Sequence, residues 1–339
     1  MRFLTYAFIL LPLLRIDAAA AEAPTPPKLV ITKAQADALF HGKKARMLIG
    51  YQATKKIAWR EATEDEEIVE TSVPLYLVDF TAATPSCALV VADAKACIGD
   101  PFISPDGTRV AYRTTKGVFV ARLAAGAPEA TLVSADGFDQ RWWIHPTTGD
   151  EYLLMASTRG GNESSMAGKT SLQKLKKGTC QPEGVPTTLI GDAAYRSGRS
   201  PDGAYICSAQ PGLAQAQLTP ADATANAAVK VLFTNARKCN GSVSQDPKQP
   251  SYFLWEDTSH TVIFYDPADH SKTIPVPPGY QHQQWCEWST HPDFITTSPC
   301  QPDDSSDHKL HDALIWQWST KSWTKVSEGA GPTHLWVER

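Results

Sequence analysis

Ile103-Ser104-Pro105-Asp106-Gly107-Thr108-Arg109-Val110-Ala111-Tyr112 is a tight turn that opens a strand. Pro105 presets φ near −65°, Asp106 can bond its own backbone, and Gly107 accepts a positive φ. Val110 and Tyr112 then begin a period-2 alternation. The pattern recurs. Ser200-Pro201-Asp202-Gly203 leads into Ala204 to Ser208, and His145-Pro146-Thr147-Thr148-Gly149-Asp150 leads into Tyr152 to Met155. Weaker copies are Asp246-Pro247 before Tyr252 to Trp255, and His291-Pro292-Asp293 before Phe294 to Thr297. The turn prolines lie roughly 40–55 residues apart, a spacing that holds several short strands and signals a β-propeller.

Strands can be counted outward from these turns. Five groups of four run from Phe102-Ile103 to Trp323–Val326. One strand, His334 to Val337, is left at the C-terminus, and three are left at the N-terminus: Arg46 to Tyr51, Val73 to Phe80 and Ala88 to Val91. Together they make a sixth group. The expectation is an all-β, six-bladed propeller in which one blade is built by both ends of the chain, leaving no open edge. A sandwich followed by a second β-domain would leave the lone last strand unexplained. Before the strands, Thr32 to Phe40 reads as one short helix, with Thr32 as N-cap and Gln35 at N3.

Residues 1–21 have the pattern of a signal peptide: Arg2, an apolar core from Phe3 to Leu14, and small residues from Ala18 to Ala21. The expected layout is signal peptide 1–21, N-terminal extension 22–44 and propeller 45–339. The apolar run is too short to span a bilayer, so the mature chain is expected to be secreted or periplasmic, without a membrane span. With 32 basic and 36 acidic residues, net −4, and no basic run, nucleic acid is not an expected partner.

All 7 cysteines lie in the mature part, and export permits disulfides. Cys286 and Cys300 flank the Pro292-Asp293 turn almost symmetrically and are the expected pair. Cys207–Cys239 and Cys87–Cys97 are weaker candidates, leaving Cys180 as the expected unpaired thiol.

The Ser-Pro-Asp-Gly turns at 104–107 and 200–203, each opening an aromatic strand after a signal peptide, resemble the TolB-like propeller repeat. The resemblance covers about residues 45–339. It implies a six-bladed propeller in the bacterial envelope, in a family whose better-known members bind partner proteins. Related repeats occur in propeller peptidases and some polysaccharide lyases. The resemblance is not expected to extend to the N-terminal α/β domain that typical TolB carries, and the motif residues are structural, so it speaks to fold more than to function.

Chemistry is sparse. There is no Gly-x-Ser-x-Gly, no His-Glu-x-x-His and no phosphate loop, and no cofactor or metal is expected. Asp303-Asp304-Ser305-Ser306-Asp307, with His308, His311 and Asp312, has oxygen ligands at short spacing but lacks the EF-hand glycine and glutamate, so it reads as a solvated turn. The 10 tryptophans read mainly as wedge filling between blades.

Register is more informative. Five residues before each turn position stand Asp100, Arg141, Arg196, Ser242, Glu287 and His334. All are polar, within strands otherwise rich in apolar residues. If each lies on the innermost strand of its blade, they form a ring at one mouth of the central channel. Asp100, Arg141, Arg196, Glu287 and His334 are the candidate ligand-binding residues, with Tyr195, His282 and Gln284 nearby in sequence. Three roles are open: a non-catalytic, monomeric binding propeller for a protein or polysaccharide, a lyase in which Arg neutralises a uronate carboxylate while Tyr or His moves protons, or a purely structural envelope protein. Ion pairs that merely plug the channel would place the same residues there.

Overall fold

The computed structural model describes residues 25–51, 72–95, 101–126, 129–158, 168–191, 194–195, 198–208, 215–220, 230–234, 238–246, 252–256, 261–266, 270–281, 283, 285–299 and 311–339. The expected signal peptide 1–21, the acidic run 61–70, Asp100, Arg196, His282, Gln284, Cys97, Cys300 and the Asp303–His308 stretch lie outside the described residues. Among the described residues there is one helix, and none is long and apolar enough to cross a membrane.

Six antiparallel sheets follow one another along the described chain. The first combines Ala45–Gly50, Ser72–Asp79 and Cys87–Lys95 with the last strand, Thr333–Val337. Met47 lies opposite Leu335, and Leu48 opposite His334. The second holds Phe102–Ile103, Arg109–Thr114, Gly117–Arg122 and Ala130–Ser134, and the third Phe138–Ile144, Glu151–Thr158, Gly168–Leu175 and Thr187–Ile190. The fourth has Tyr205–Ser208, Gln215–Pro220 and Lys230–Thr234. Of its expected first strand, Tyr195 to Arg199, the described residues show a bridge between Arg199 and Ile206. The fifth runs from Lys238–Val243 through Tyr252–Glu256 and Thr261–Asp266 to His270–Ile274. The sixth contains Glu287–Trp288, Phe294–Thr297, His311–Gln317 and Ser322–Ala330.

The repeated turns fold as their residues dictate. Gly107 N–H donates to Ser104 O at 2.8 Å, Gly203 N–H to Ser200 O at 2.9 Å, and Gly149 N–H to His145 O at 2.9 Å. Asp106 and Asp202 accept from the backbone two residues on.

Apolar burial lies between successive sheets rather than in one central core. Leu48, Ile103, Val110 and Trp336 fill the space between the first and second sheets. Phe102, Ala111, Trp142 and Leu153 do so between the second and third, and Trp143, Leu154, Tyr195 and Ile206 between the third and fourth. Ile274, Trp288, Ile295 and Trp316 join the fifth to the sixth. Met47, Phe294, Ile315 and Leu335 join the sixth to the first. The first strands touch in order: Lys238–Val243 meets Glu287–Trp288, which meets Thr333–Val337, then Phe102–Ile103, then Phe138–Ile144.

The helix spans Lys33–Phe40, with Thr32 as N-cap and a capping box to Gln35, as expected from the sequence. Its Ala36, Leu39 and Phe40 enter the seam between the first and sixth sheets. Just before it, Lys28–Leu29 adds a fifth strand to the outer edge of the sixth sheet, pairing with Glu328 and Ser327.

The cysteine pairing needs correction. In the sixth sheet Glu287 faces Thr296 and Trp288 faces Ile295. That register puts Thr297 across from Cys286, and the buried Cys286 Sγ lies 3.2 Å from Thr297 Oγ1. Cys300 falls beyond the paired strand, so the expected Cys286–Cys300 disulfide is not formed. Cys87 is likewise a thiol, which removes the Cys87–Cys97 pairing, and Cys180 is a thiol as expected. The side chains of Cys207 and Cys239 lie outside the described residues.

Candidate functional site

The first strands of the third, fifth, sixth and first sheets carry Arg141, Ser242, Glu287 and His334 to one place. Arg141 and Glu287, 146 residues apart, form a salt bridge at 2.9 Å, with side chains only 10% and 2% exposed. The guanidinium also lies 3.9 Å from the ring centroid of Phe102, a cation–π contact in a desolvated setting. His334 is packed against the same ring at 4.8 Å. Its Nδ1 accepts the backbone N–H of Ile103 at 3.1 Å. Burial, reinforced by the positive charge of Arg141, pushes its pKa down to about 3. His334 is therefore neutral at physiological pH, and with Nδ1 accepting, its proton sits on Nε2. Ser242 Oγ accepts the Trp288 backbone N–H at 3.2 Å.

The structure thus brings together four of the six ring positions, and Asp100 and Arg196 are outside the described residues. Of the neighbours noted in sequence, Tyr195 is buried between the third and fourth sheets, where its N–H donates to Thr170 Oγ1 at 2.8 Å.

Arg141, Ser242 and His334 line a cavity of about 40 Å³. Pro105, Thr290 and Arg339 line it as well. Arg339 donates from Nε to Thr290 O and from Nη2 to Gln245 O, bridging the fifth and sixth sheets. Trp142 and Trp288 form part of the wall. Arg339 was missed as a candidate in the sequence, although the alignment places it at the turn position of the last strand.

Asp312, from the stretch weighed as a metal loop, is only 2% exposed and is occupied by protein groups. It accepts from Tyr280 Oη at 2.6 Å, Lys325 Nζ at 2.7 Å and Gly329 N–H at 3.2 Å. Burial, together with that hydrogen bond and the charge of Asp312, holds the Tyr280 hydroxyl above its ordinary pKa. Among the described residues no group of three or more His, Cys, Asp or Glu side chains is arranged to hold a metal ion.

No protein-family model matches the chain, and no curated protein matches it in sequence. Solved structures do match in fold. TolB from Acinetobacter baumannii superposes with a TM-score of 0.55 at 13% identity, over 87% of this chain and 66% of that one. A putative TolB from Agrobacterium tumefaciens gives 0.51 at 11% identity, over 88% of this chain and 99% of the other. A chain of a nidogen–laminin complex gives 0.50 at 8% identity, over 86% of this chain and 98% of the other. At such identities the likeness speaks of architecture alone, and on that evidence the chain has a TolB-like propeller fold.

Proposed function

We propose that this chain is an exported six-bladed propeller over residues 45–339, closed by pairing of its terminal strands. In this reading it binds a protein or glycan at the mouth of its central channel, as a monomer, without catalysing a reaction. The observation that carries this is the convergence of Arg141, Ser242 and His334, from three sheets, on one cavity, with Glu287 of a fourth sheet paired to Arg141. Polar groups gathered from distant segments around a cavity, in strands otherwise filled with apolar residues, are the usual mark of a recognition site. The nidogen–laminin structure supports an architecture suited to a protein partner. The apolar leader at 1–21 supports a periplasmic or secreted address.

The test is immobilised mature protein presented with a glycan array and with envelope extract. Saturable retention of a defined ligand, lost when the channel mouth is altered, is the expected result. Incubation with uronate-containing polysaccharides runs in parallel. Growth of the ultraviolet absorbance of an unsaturated product would replace the binding reading with a lyase.

A further inference from the structure

The residues lining the axial cavity include two arginines, Arg141 and Arg339, and no aspartate or glutamate among those described. The remaining polar lining is hydroxyl, amide and imidazole: Ser242, Ser289, Thr290, Gln245 and His334. His334, with its Nδ1 taken by the Ile103 N–H, offers a proton donor on Nε2 rather than a basic nitrogen. Arg141 donates to Glu287 from Nη2 alone, short of the two-pronged pairing that fully engages a guanidinium. The wall is rich in donors and its fixed charge is positive.

Size narrows the ligand further. About 40 Å³ of space accommodates roughly three waters. A carboxylate on a slender alkyl stem fits such a volume. A uronate carboxylate is attached directly to its sugar ring and has no stem of its own, so the ring would have to follow it to the mouth of the cavity, which a slender side chain does not require.

We propose that the axial cavity is a carboxylate subsite, and that the partner recognised at the channel mouth is a polypeptide that inserts an acidic side chain or its C-terminal carboxylate between Arg141, Arg339 and His334. This rests on the binding reading above and sharpens it, selecting polypeptide over glycan.

Trp142 and Trp288 line the cavity and supply the readout. The full mature chain is titrated with acetate, acetamide and chloride at constant ionic strength, following tryptophan fluorescence. A saturable change with acetate is expected, absent with acetamide and with chloride. Arg339 is exposed, and Arg339→Ala, with melting measured on the same sample, is expected to weaken the acetate response at least fivefold. Arg141→Gln with Glu287→Gln removes both buried charges together and is expected to abolish it, with melting measured on the same sample. A Glu-containing peptide is expected to compete with acetate, and its Gln counterpart is not. Equal responses to acetate and acetamide, or to acetate and chloride, overturn the proposal, as does an unchanged response in Arg339→Ala. Competition by oligogalacturonate in place of the acidic peptide overturns the choice of polypeptide. If a macromolecular ligand is captured but saturating acetate fails to displace it, the subsite falls and the binding reading stands. An acetate response without any captured macromolecule sinks the binding reading alone.

Discussion

His334 is a base that its surroundings keep neutral, and this has a pH signature. Unfolded, it takes up a proton near pH 6.5, but folded it resists until about pH 3. Between these values the unfolded chain binds the extra proton, so acid favours unfolding. The contribution is complete above pH 6.5 and declines as pH falls, at about 1.4 kcal/mol per pH unit. Burial pushes His291 in the same direction, so the wild-type slope alone is ambiguous. His334→Gln is expected to flatten the stability profile between pH 6 and 4 by about one proton, as measured by denaturant unfolding at each pH. A second residue-scale prediction concerns Gly107. Its φ is +72°, and a Cβ there would lie 2.4 Å from Trp336 Cε2. Gly107→Ala should cost about 2–4 kcal/mol, combining left-handed backbone strain with overpacking. Gly178 has φ +70° with open space around it, so Gly178→Ala should cost only about 1 kcal/mol. Similar losses at both positions, by chemical denaturation, would remove the indole contact from the account. At this scale the proximity of Arg141, Glu287 and His334 was legible because a polar residue at a fixed offset in an apolar strand needs a reason. The tautomer of His334 and the part played by Arg339 depend on neighbours far away in sequence and were not.

The turns and tryptophans form a repeated element. Trp336 Nε1 donates to Pro105 O at 3.0 Å, and Trp143 Nε1 to Ser200 O at 3.0 Å. In each case the indole from one sheet lies on the glycine of the next sheet's turn. An arginine completes both: Arg46 bonds Gly107 O and sits 6.0 Å from the Trp336 ring, while Arg199 bonds Gly203 O and sits 4.1 Å from Trp143. Among the described residues, both strong copies of the motif receive a tryptophan. Arg109 anchors the second sheet to the third in another way. Its side chain is fully buried, pairs with Glu151 at 2.6 and 3.0 Å and with Asp106 at 2.9 Å, and donates to Thr179 O at 2.9 Å. Arg109→Ala leaves buried Glu151 without its cation and is expected to cost about 3–5 kcal/mol, whereas Arg109→Met with Glu151→Met should cost much less. Thermal melting of the two variants distinguishes them, and equal losses would mean that packing rather than charge dominates. Element existence was readable from period-2 patterning, but two features were not. Lys28–Leu29 is too short to show a period, and its partner lies about 300 residues away. The hairpin register that sets Thr297 across from Cys286 is fixed by strand pairing, which symmetry about a turn proline does not determine.

At the scale of the molecule, the proposed closure makes the two ends of the chain unequal in their effects. Thr333–Val337 is an inner strand. It pairs with Ala45–Gly50 on one side and, through His334 and Trp336, reaches the Ile103 N–H and Pro105 O of the second sheet. It also meets the sixth sheet, where Val337 N–H donates to Thr290 Oγ1 at 3.0 Å. Deleting residues 332–339 removes the contact between the first and sixth sheets at the axis, exposes the edge of Ala45–Gly50 and uncovers the wedge that Trp336 fills. Loss of one buried tryptophan costs about 3–5 kcal/mol by itself, and an unpaired strand edge invites aggregation. The expected outcome is aggregation, or a melting temperature lower by roughly ten degrees or more. Lys28–Leu29 is an outer strand with one neighbour, and Lys28 pairs with Glu328 in the open, at 73% and 46% exposure. Removing residues up to Leu29 takes away that edge, the buried Pro27 and the half-buried Leu29 packed on the seam, while the exposed pair contributes about 1 kcal/mol or less, so melting should fall by less than for the inner strand. A chain of independent sheets would lose similar amounts at either end, because each deletion takes away a single strand. A ring adds the lost contact with the sixth sheet to the cost of Trp336, so equal melting shifts for the two truncations would refute closure.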